Sequence, residues 1–223
     1  MLTSITDIKH VFYINLEERK DRKKLVEKEL SKIGIVDANR FNAVKLSPII
    51  DNPGALGCSL SHLKCVLKAK ENNWDHVLIC EDDIEFLNPE LFKKQLNTFL
   101  AISKNKWDVV LLAGNNMLPY IPISNCCIQV MNCITTTGYI VLNHYYDTLI
   151  QNYKDGIAKL MKNTEKNNAS LYKIDKYWLR LQRKDHWYLI IPLSIIQRKN
   201  YSNIENSVVD FSNYMLDYNK TQT

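Results

Sequence analysis

The sequence predicts an α/β protein in which a wound, mainly parallel sheet is flanked by helices within a single domain. Two observations support this fold class. Short apolar runs alternate with longer amphipathic segments in the order β-α-α-β-α-β through the first half of the chain. The 223 residues are 46% hydrophobic and 24% charged, which is ordinary for a soluble globular protein and sufficient for one substantial core.

The chain begins with a predicted strand and two predicted helices. Residues 10–14, HVFYI, are the aromatic and β-branched run of the strand. A basic helix is predicted over residues 17–33, and Asn15 followed by Glu18 has the spacing of a capping box for it. Residues 54–73 carry leucines at helical spacing and predict the second helix.

A second buried strand starts near residue 75 and ends in three consecutive carboxylates, Glu81, Asp82 and Asp83. Asn88 followed by Pro89 then predicts the capped start of a third helix. Further strands are predicted at residues 107–113, 126–133, 134–142 and 187–191. The predicted domain covers residues 1–210, and residues 211–223 are predicted to be a polar C-terminal tail that frays.

Charge and cysteine content narrow the function classes. The net charge of +5 suits an anionic small molecule, and the mixing of basic with acidic residues argues against nucleic acid as a partner. Six cysteines without a CxxC pair predict free thiols in a reducing compartment. No signal peptide or apolar span of ~20 residues is recognised, so a cytoplasmic protein is expected. Weak contact of the basic helix with anionic lipid stays open, and no oligomeric state is predicted.

The three carboxylates at residues 81–83 are the most informative feature. Side chains alternate along a strand, so Glu81 and Asp83 are expected on one side and Asp82 on the other. Open α/β sheets bind ligands beyond the carboxyl ends of their strands. A pair of carboxylates there suits a hard cation such as Mn²⁺ or Mg²⁺, and no Cys/His spacing typical of zinc is recognised. Taken alone, the tripeptide is more typical of a solvated acidic turn than of a metal site.

Two further segments contain candidate ligands for an anionic substrate. YINLEERKDR places Asn15, Arg19 and Arg22 around a helix start, where backbone N–H groups and guanidinium groups attract phosphate. The alternative is an ordinary solvated basic helix. GCSLSH places Ser59 and His62 on one helical face, and Gly57 permits close approach of a ligand. The alternative for His62 is a buried core residue.

The last candidate is an acidic residue beside aromatic side chains. Asp175 precedes Tyr177 and Trp178, an arrangement that suits a general base next to a platform for a sugar ring. Asp175 equally suits a helix N-cap with two core aromatics behind it.

In this order, the segments resemble glycosyltransferase family 25, which includes bacterial lipooligosaccharide galactosyltransferases, collagen galactosyltransferases and relatives in large DNA viruses. The resemblance covers residues 8–210. It rests on YINLEERKDR, GCSLSH, the EDD strand end, TTTGYIV, IDKYW and IPLSIIQRKNYSNIE. It implies a GT-A type fold and, for a viral member, a location in the host cytoplasm.

The resemblance also implies an activity and roles for particular residues. A hexose, galactose or glucose, would move with inversion from a UDP-sugar to a hydroxyl of a glycan or protein acceptor. Glu81 and Asp83 would hold Mn²⁺ or Mg²⁺, and Asp175 would be the base, with Asp82 and His62 as alternatives. The donor would contact Asn15, Leu16, Arg19, Arg22, Ser59, His62 and Glu81.

Three other functions stay open at this point. A catalytically inactive member of the family would bind the sugar nucleotide or act as an assembly partner. A metal-dependent nuclease or phosphatase would also cluster carboxylates at a strand end, although no second acidic motif is evident. A methyltransferase is disfavoured because NLEERKDR, which follows the first strand, contains no glycine.

Overall fold

An eight-stranded mixed sheet forms the centre of the computed structural model, which describes residues 2–162, 169–202 and 207–221. Its strands and those of three small two-stranded sheets are β1 Val11–Asn15, β2 Asn39–Asn42, β3 His76–Glu81, β4 Ile84–Phe86, β5 Val109–Leu111, β6 Asn115–Asn116, β7 Tyr120–Pro122, β8 Cys127–Val130, β9 Cys133–Ile134, β10 Gly138–Leu142, β11 Trp187–Ile190, β12 Ile195–Gln197, β13 Asn200–Ser202 and β14 Ser207–Val209. The α-helices are α1 Lys20–Lys32, α2 Pro53–Glu71, α3 Pro89–Ser103, α4 Tyr146–Lys162, α5 Ile174–Tyr177, α6 Leu179–Gln182 and α7 Ser212–Met215.

The large sheet has the strand order β2-β1-β3-β10-β5-β11-β8-β7. Strand β1 pairs in parallel with β2 and β3, and β5 pairs in parallel with β11. Strands β10 and β8 run against their neighbours, so six of the eight strands share one direction. The prediction of a mainly parallel sheet is therefore confirmed, with two reversed strands that the sequence pattern did not reveal.

Helices cover both faces of the sheet, and alternate residues of one strand show this arrangement. On β3, Leu78 belongs to the core formed with α1 and α3. Its neighbours Val77 and Ile79 belong to the core formed with α2 and α4. Burial on both faces explains why β3 reads as a continuous apolar run, as expected for a strand in the middle of a wound sheet.

The predicted start of α1 is wrong. The helix begins at Lys20 rather than residue 17, and its N-cap, Arg19, makes no side-chain cap hydrogen bond. Asn15 is instead the last residue of β1, and Glu18 forms an ion pair with Lys45. By contrast, the predicted cap of α3 is confirmed, because Asn88 Oδ1 accepts from the Leu91 amide at 3.0 Å.

The predicted strand at residues 134–142 is shorter than expected. Only Gly138–Leu142 joins the large sheet, because Thr135 has a φ of 78° and breaks the extended run. A non-glycine residue in this left-handed region is uncommon, and such residues cluster at functional sites. The bend at Thr135 lies next to the candidate site described below.

The predicted fraying tail is wrong for residues 211–221. Met215 on α7 is fully buried and joins the core with α1 and α3. Lys220 donates its Nζ to the carbonyl of Asn116, and its own carbonyl accepts from the Leu118 amide. Residues 222–223 and the final residues of IPLSIIQRKNYSNIE lie outside the described residues.

Two other expectations concern the thiols and the helices. All six cysteines are free, as predicted, and five of them are buried. Among the described residues, each helix is too short or too polar to cross a bilayer.

Candidate functional site

The three carboxylates lie at the carboxyl end of β3, in the turn that leads to β4. Gln197 Nε2 lies 3.2 Å from Glu81 Oε2 and 3.3 Å from Asp83 Oδ2, so these two side chains converge on one donor. Asp82 accepts from Asn15 Nδ2 at 2.7 Å and from Arg22 Nη1 at 2.9 Å. The contact of Glu81 and Asp83 with one donor agrees with the expected alternation, but Asp82 lines the same cavity and shares Arg22 with Asp83.

Of the three carboxylates, Asp83 has its negative charge least balanced by nearby donors and positive charges. Its Oδ1 is buried and has no hydrogen-bond partner within the described part of the chain. Arg22 Nη1 approaches its Oδ2 at 3.6 Å. Burial, followed by the charges of Glu81 and Asp82, raises the pKa of Asp83 to about 8. An orphaned buried oxygen beside a second carboxylate fits a bound cation, which would offset that clustered charge.

Glu81 is held by partners from three other segments. Its Oε1 accepts from Thr136 Oγ1 at 2.6 Å and lies 3.4 Å from His62 Nε2 and 3.7 Å from Cys58 Sγ. Burial by itself would raise the pKa of Glu81, but His62 and Thr136 bring it below the ordinary value. Glu81 is therefore ionised at neutral pH, while its Oε2 remains directed toward Asp83 and Gln197.

A cavity of about 670 Å³ opens beside this turn. Its wall combines the acidic turn with basic side chains from separate segments, namely Arg19, Arg22, Lys45, Lys173 and Arg198. Arg198 also fixes β12 against the turn, because its amide donates to the Asp83 carbonyl at 2.7 Å. An anion that binds a cation at Glu81 and Asp83 would therefore also meet positive charge on the protein.

The start of α2 forms the opposite wall of the cavity. A side chain at Gly57 would place its Cβ 2.3 Å from the Val44 carbonyl oxygen, so only glycine permits this close approach. Ser61 Oγ accepts from the Val44 amide at 2.8 Å and donates to the Gly57 carbonyl at 2.6 Å. These contacts hold the segment at residues 43–48 against the helix, at the edge of the cavity.

The prediction that Ser59 contacts a ligand in this cavity is wrong. Its Oγ donates to the Ala55 carbonyl at 2.9 Å, and its side chain lies toward Asn152 and Tyr153 of α4. Successive helical residues are rotated by about 100°, so the cavity receives Cys58, Ser61 and His62 instead. The sequence pattern identified the correct helix but not the phase of its exposed face.

The predicted donor contacts at the start of α1 divide into two groups. Leu16, Arg19 and Arg22 line the cavity, as the resemblance implies. Asn15 is 1% exposed and is not among the lining residues. It donates to Asp82 and accepts from Arg40 Nε at 3.1 Å, so it positions the turn rather than contacting the cavity.

Asp175 lies near the site but outside the lining of the cavity. Its Oδ2 accepts from the Thr135 amide at 3.1 Å, and burial raises its pKa. Thr135 carries the positive φ, and the next residue, Thr136, donates to Glu81. Asp175 therefore supports the bend that presents Thr136 to Glu81, and its predicted role as base stays a prediction.

Sequence reasoning missed several residues that complete the site. Gln197 and Arg198 occur in the IPLSIIQRK segment, and Thr136 occurs in TTTGYIV, so the segments were recognised without these individual roles. Cys58 sits within GCSLSH, one turn before His62, and this spacing was the available signal for it. The sequence offered no Cys/His spacing typical of a zinc site, yet the fold brings Cys58 and His62 close to Glu81.

The model of Glycosyltransferase family 25 (LPS biosynthesis protein) matches residues 8–178, which is most of the chain. The chain belongs to glycosyltransferase family 25. The resemblance in the sequence is thus confirmed, and the YINLEERKDR, GCSLSH and EDD segments that carry it all contribute residues to the cavity wall.

This family 25 chain is similar to two curated proteins and one solved structure, among others. Procollagen galactosyltransferase 1-B from Xenopus laevis is 31% identical over 132 residues, covering 48% of this chain and 21% of that protein. A Glycosyltransferase 25 family member from Drosophila pseudoobscura pseudoobscura is 31% identical over 99 residues, covering 34% and 16%. A glycosyltransferase involved in the glycosylation of the major capsid of PBCV-1 matches 81% of this chain and 92% of its own, with 11% identity and a TM-score of 0.42. The matched parts span about a fifth of the two curated relatives.

Proposed function

We propose that this protein transfers a hexose from a UDP-sugar to a hydroxyl group of a glycan or protein acceptor, with inversion at the sugar carbon. The observation that carries the proposal is the convergence of Glu81 and Asp83 at the edge of a cavity with basic walls. Membership of family 25 and the name of the galactosyltransferase relative support the reaction class and the choice of sugar.

Glu81 and Asp83 are proposed to hold Mn²⁺ or Mg²⁺. Both offer carboxylate oxygens, which hard cations prefer, and Asp83 Oδ1 has no partner within the described residues. When bound, the cation would supply positive charge that offsets the negative charge growing on the leaving diphosphate. Gln197 would fix the two carboxylates relative to each other through its Nε2 contacts.

The donor phosphates are proposed to lie between the acidic turn and the basic wall. Arg19, Arg22, Lys45 and Lys173 reach this space from three separate segments. Arg22 contacts Asp82 and Asp83, so it lies between the acidic turn and the proposed position of the phosphates. Guanidinium groups donate in pairs to phosphate oxygens, which orients the diphosphate as well as binding it.

The acceptor hydroxyl needs a base as the bond to the sugar forms. Asp82 has both carboxylate oxygens engaged, by Asn15 and Arg22, and this leaves it poorly placed to take a proton. Asp175 keeps a raised pKa because it is buried, which suits a base better than an ordinary carboxylate does. We retain Asp175 as the proposed base. Asp175→Asn should lower kcat and leave UDP binding unchanged. Loss of both activity and UDP binding would indicate that Asp175 acts only by supporting the backbone at Thr135.

The decisive experiment is a panel of UDP-, GDP- and CMP-sugars with Mn²⁺, scored for slow release of the nucleotide without acceptor. Release of UDP from one UDP-hexose, abolished by EDTA, would support the proposal. Equal release in EDTA would contradict it. Binding of UDP and Mn²⁺ in calorimetry without turnover of any donor would instead indicate an inactive sugar-nucleotide-binding protein. Cleavage of nucleic acid would indicate a nuclease.

A further inference from the structure

Three metal-ligating side chains of different chemistry meet behind the acidic turn. The Sγ of Cys58, an imidazole nitrogen of His62 and a carboxylate oxygen of Glu81 all lie within 4.8 Å of one another. Glu81 Oε1 is the common point, 3.7 Å from Cys58 Sγ and 3.4 Å from His62 Nε2. Asp83 is not part of this cluster, so the cluster shares only Glu81 with the proposed hard-cation site.

The two separations from Glu81 Oε1 match the edge of a zinc tetrahedron. Zinc binds sulfur at about 2.3 Å and nitrogen or oxygen at about 2.0–2.2 Å, which places neighbouring ligand atoms roughly 3.3–3.7 Å apart in tetrahedral geometry. The two measured separations from Glu81 Oε1, 3.4 Å and 3.7 Å, fall in that range. A Cys–His–carboxylate set is also typical of thiophilic or borderline ions rather than of Mn²⁺ or Mg²⁺.

The three side chains are held in place by the fold. Cys58 and His62 are one turn apart on α2, so they project from the same face. His62 is 1% exposed and its Nδ1 lies 3.0 Å from Tyr139 Oη, while Thr136 Oγ1 donates to Glu81. Contacts of this kind orient the ligands of known metal sites. The Tyr139 hydroxyl can donate or accept, so either tautomer of His62 can be accommodated.

The cluster is also accessible, because all three residues line the cavity of about 670 Å³. An ion can therefore enter from solvent, and a water in the cavity can complete its coordination. Binding would replace the thiol proton of Cys58, which leaves to solvent, and would form the Sγ–metal bond.

We propose that Cys58, His62 and Glu81 form a second metal site that binds Zn²⁺ and related thiophilic divalent ions. Glu81 is shared, with Oε1 directed at this cluster and Oε2 directed at Asp83 and Gln197. Zn²⁺ at the cluster draws the charge of Glu81 away from the hard cation and places a second dication beside it. Zn²⁺ therefore inhibits an enzyme that Mn²⁺ activates, a consequence that rests on the proposed function.

Cobalt titration of the metal-free chain tests the site without reference to activity. We expect one equivalent of Co²⁺ to produce a thiolate-to-cobalt charge-transfer band in the near ultraviolet, which one equivalent of Zn²⁺ removes and excess Mg²⁺ leaves unchanged. Cys58→Ala should abolish the band. Cys65→Ala, two turns along the same helix, should retain it, and circular dichroism of both variants establishes that they are folded.

The outcomes separate the site from the proposed reaction. A band that persists in folded Cys58→Ala, or a wild-type chain without any band, would overturn the second metal site. If the band behaves as expected but no donor turns over, the metal site stands and the proposed transferase activity fails. If UDP is released, Zn²⁺ should inhibit the wild type at least tenfold more strongly than it inhibits Cys58→Ala. Equal inhibition of the two would overturn the shared role of Glu81.

Discussion

The two sides of the acidic turn differ in how their charge is compensated. Asp82 lines the cavity, as Glu81 and Asp83 do, but each of its oxygens has a close donor, from Asn15 and from Arg22. Asp83 faces the cavity with one buried oxygen that has no partner among the described residues, and burial and neighbouring carboxylates raise its pKa to about 8. Adjacent residues of the same chemical type therefore have different surroundings.

The difference distinguishes a carboxylate that stabilises the fold from carboxylates that are available for binding and catalysis. Contacts with Asn15 of β1 and Arg22 of α1 tie Asp82 into the fold, so removing it should chiefly cost stability. Asp83 and Glu81 supply oxygens whose combined negative charge a bound cation would balance, so removing either should chiefly cost ligand binding and turnover. The variants below test whether this separation holds.

The largest expected effect is on turnover in Asp83→Asn, which keeps the shape of the side chain and removes its charge. We expect UDP release with Mn²⁺ to fall by roughly 10²–10³-fold, a loss typical of removing one stabilising group at a developing charge. The melting temperature should stay equal to that of the wild type or rise, because a buried and poorly compensated carboxylate is removed.

Asp37→Asn is the matched control for this variant, because it makes the same change at an exposed position. It should leave both the rate and the melting temperature unchanged. Wild-type turnover in Asp83→Asn would remove the basis for placing the cation at this residue.

The second prediction concerns stability in Asp82→Ala. The Arg22–Asp82 pair is nearly buried, with side chains 13% and 10% exposed, so removing Asp82 takes away a carboxylate that lies 2.9 Å from the buried Arg22 charge. We expect the free energy of unfolding to fall by about 3 kcal/mol, measured by chemical denaturation. Asp21→Ala, which removes the 58%-exposed partner of Arg19, should cost less than about 1 kcal/mol. Similar losses in both variants would mean that burial does not distinguish the two pairs.

Much of the fold could be predicted because each strand and helix carries its own local signal. The apolar run of β3 and the carboxylates after it predicted a strand end with Glu81 and Asp83 on one side. The reversed direction of β10 carries no such signal, since an apolar strand reads the same in either direction. The break at Thr135 was likewise hidden, because a φ of 78° is unusual for threonine.

The candidate site was harder to predict where it depends on contacts between distant segments. Gln197 reaches Asp83 across 114 positions of sequence, through the pairing of β12 with β4. Ser59 was predicted to contact the ligand because helical spacing does not reveal which face packs on α4. Local patterns therefore identified the segments of the site, and only tertiary packing decided which of their side chains enter it.

The third prediction concerns the pH dependence of Mn²⁺ binding. The pKa of Asp83 is raised to about 8, so below that pH the metal-free site holds a proton that the ion must displace. We expect the dissociation constant for Mn²⁺ to fall about tenfold per unit as the pH rises from about 6 to about 8, and then to level off. Calorimetry over this range measures the effect, and Asp83→Asn should weaken binding and flatten the profile.

The same raised pKa predicts the stability of the metal-free protein. Between about pH 4 and about pH 8 the folded state binds more protons at Asp83 than the unfolded chain does, so the free energy of unfolding should decrease as pH rises. Asp83→Asn should remove this contribution. If the metal-free wild type and Asp83→Asn lose the same amount of stability over this pH interval, the raised pKa does not belong to Asp83.

The smallest expected effect is on donor binding in Arg19→Ala. Arg19 lines the cavity but is 20% exposed and already paired with Asp21, so solvent screens part of its attraction for phosphate. We expect the donor KM to rise about threefold with kcat unchanged, because Arg19 would bind the diphosphate equally before and during the reaction. Lys20→Ala is the matched control, since Lys20 is exposed and does not line the cavity. An equal rise in KM for both variants would show that general positive charge at the start of α1, rather than the position of Arg19, attracts the donor.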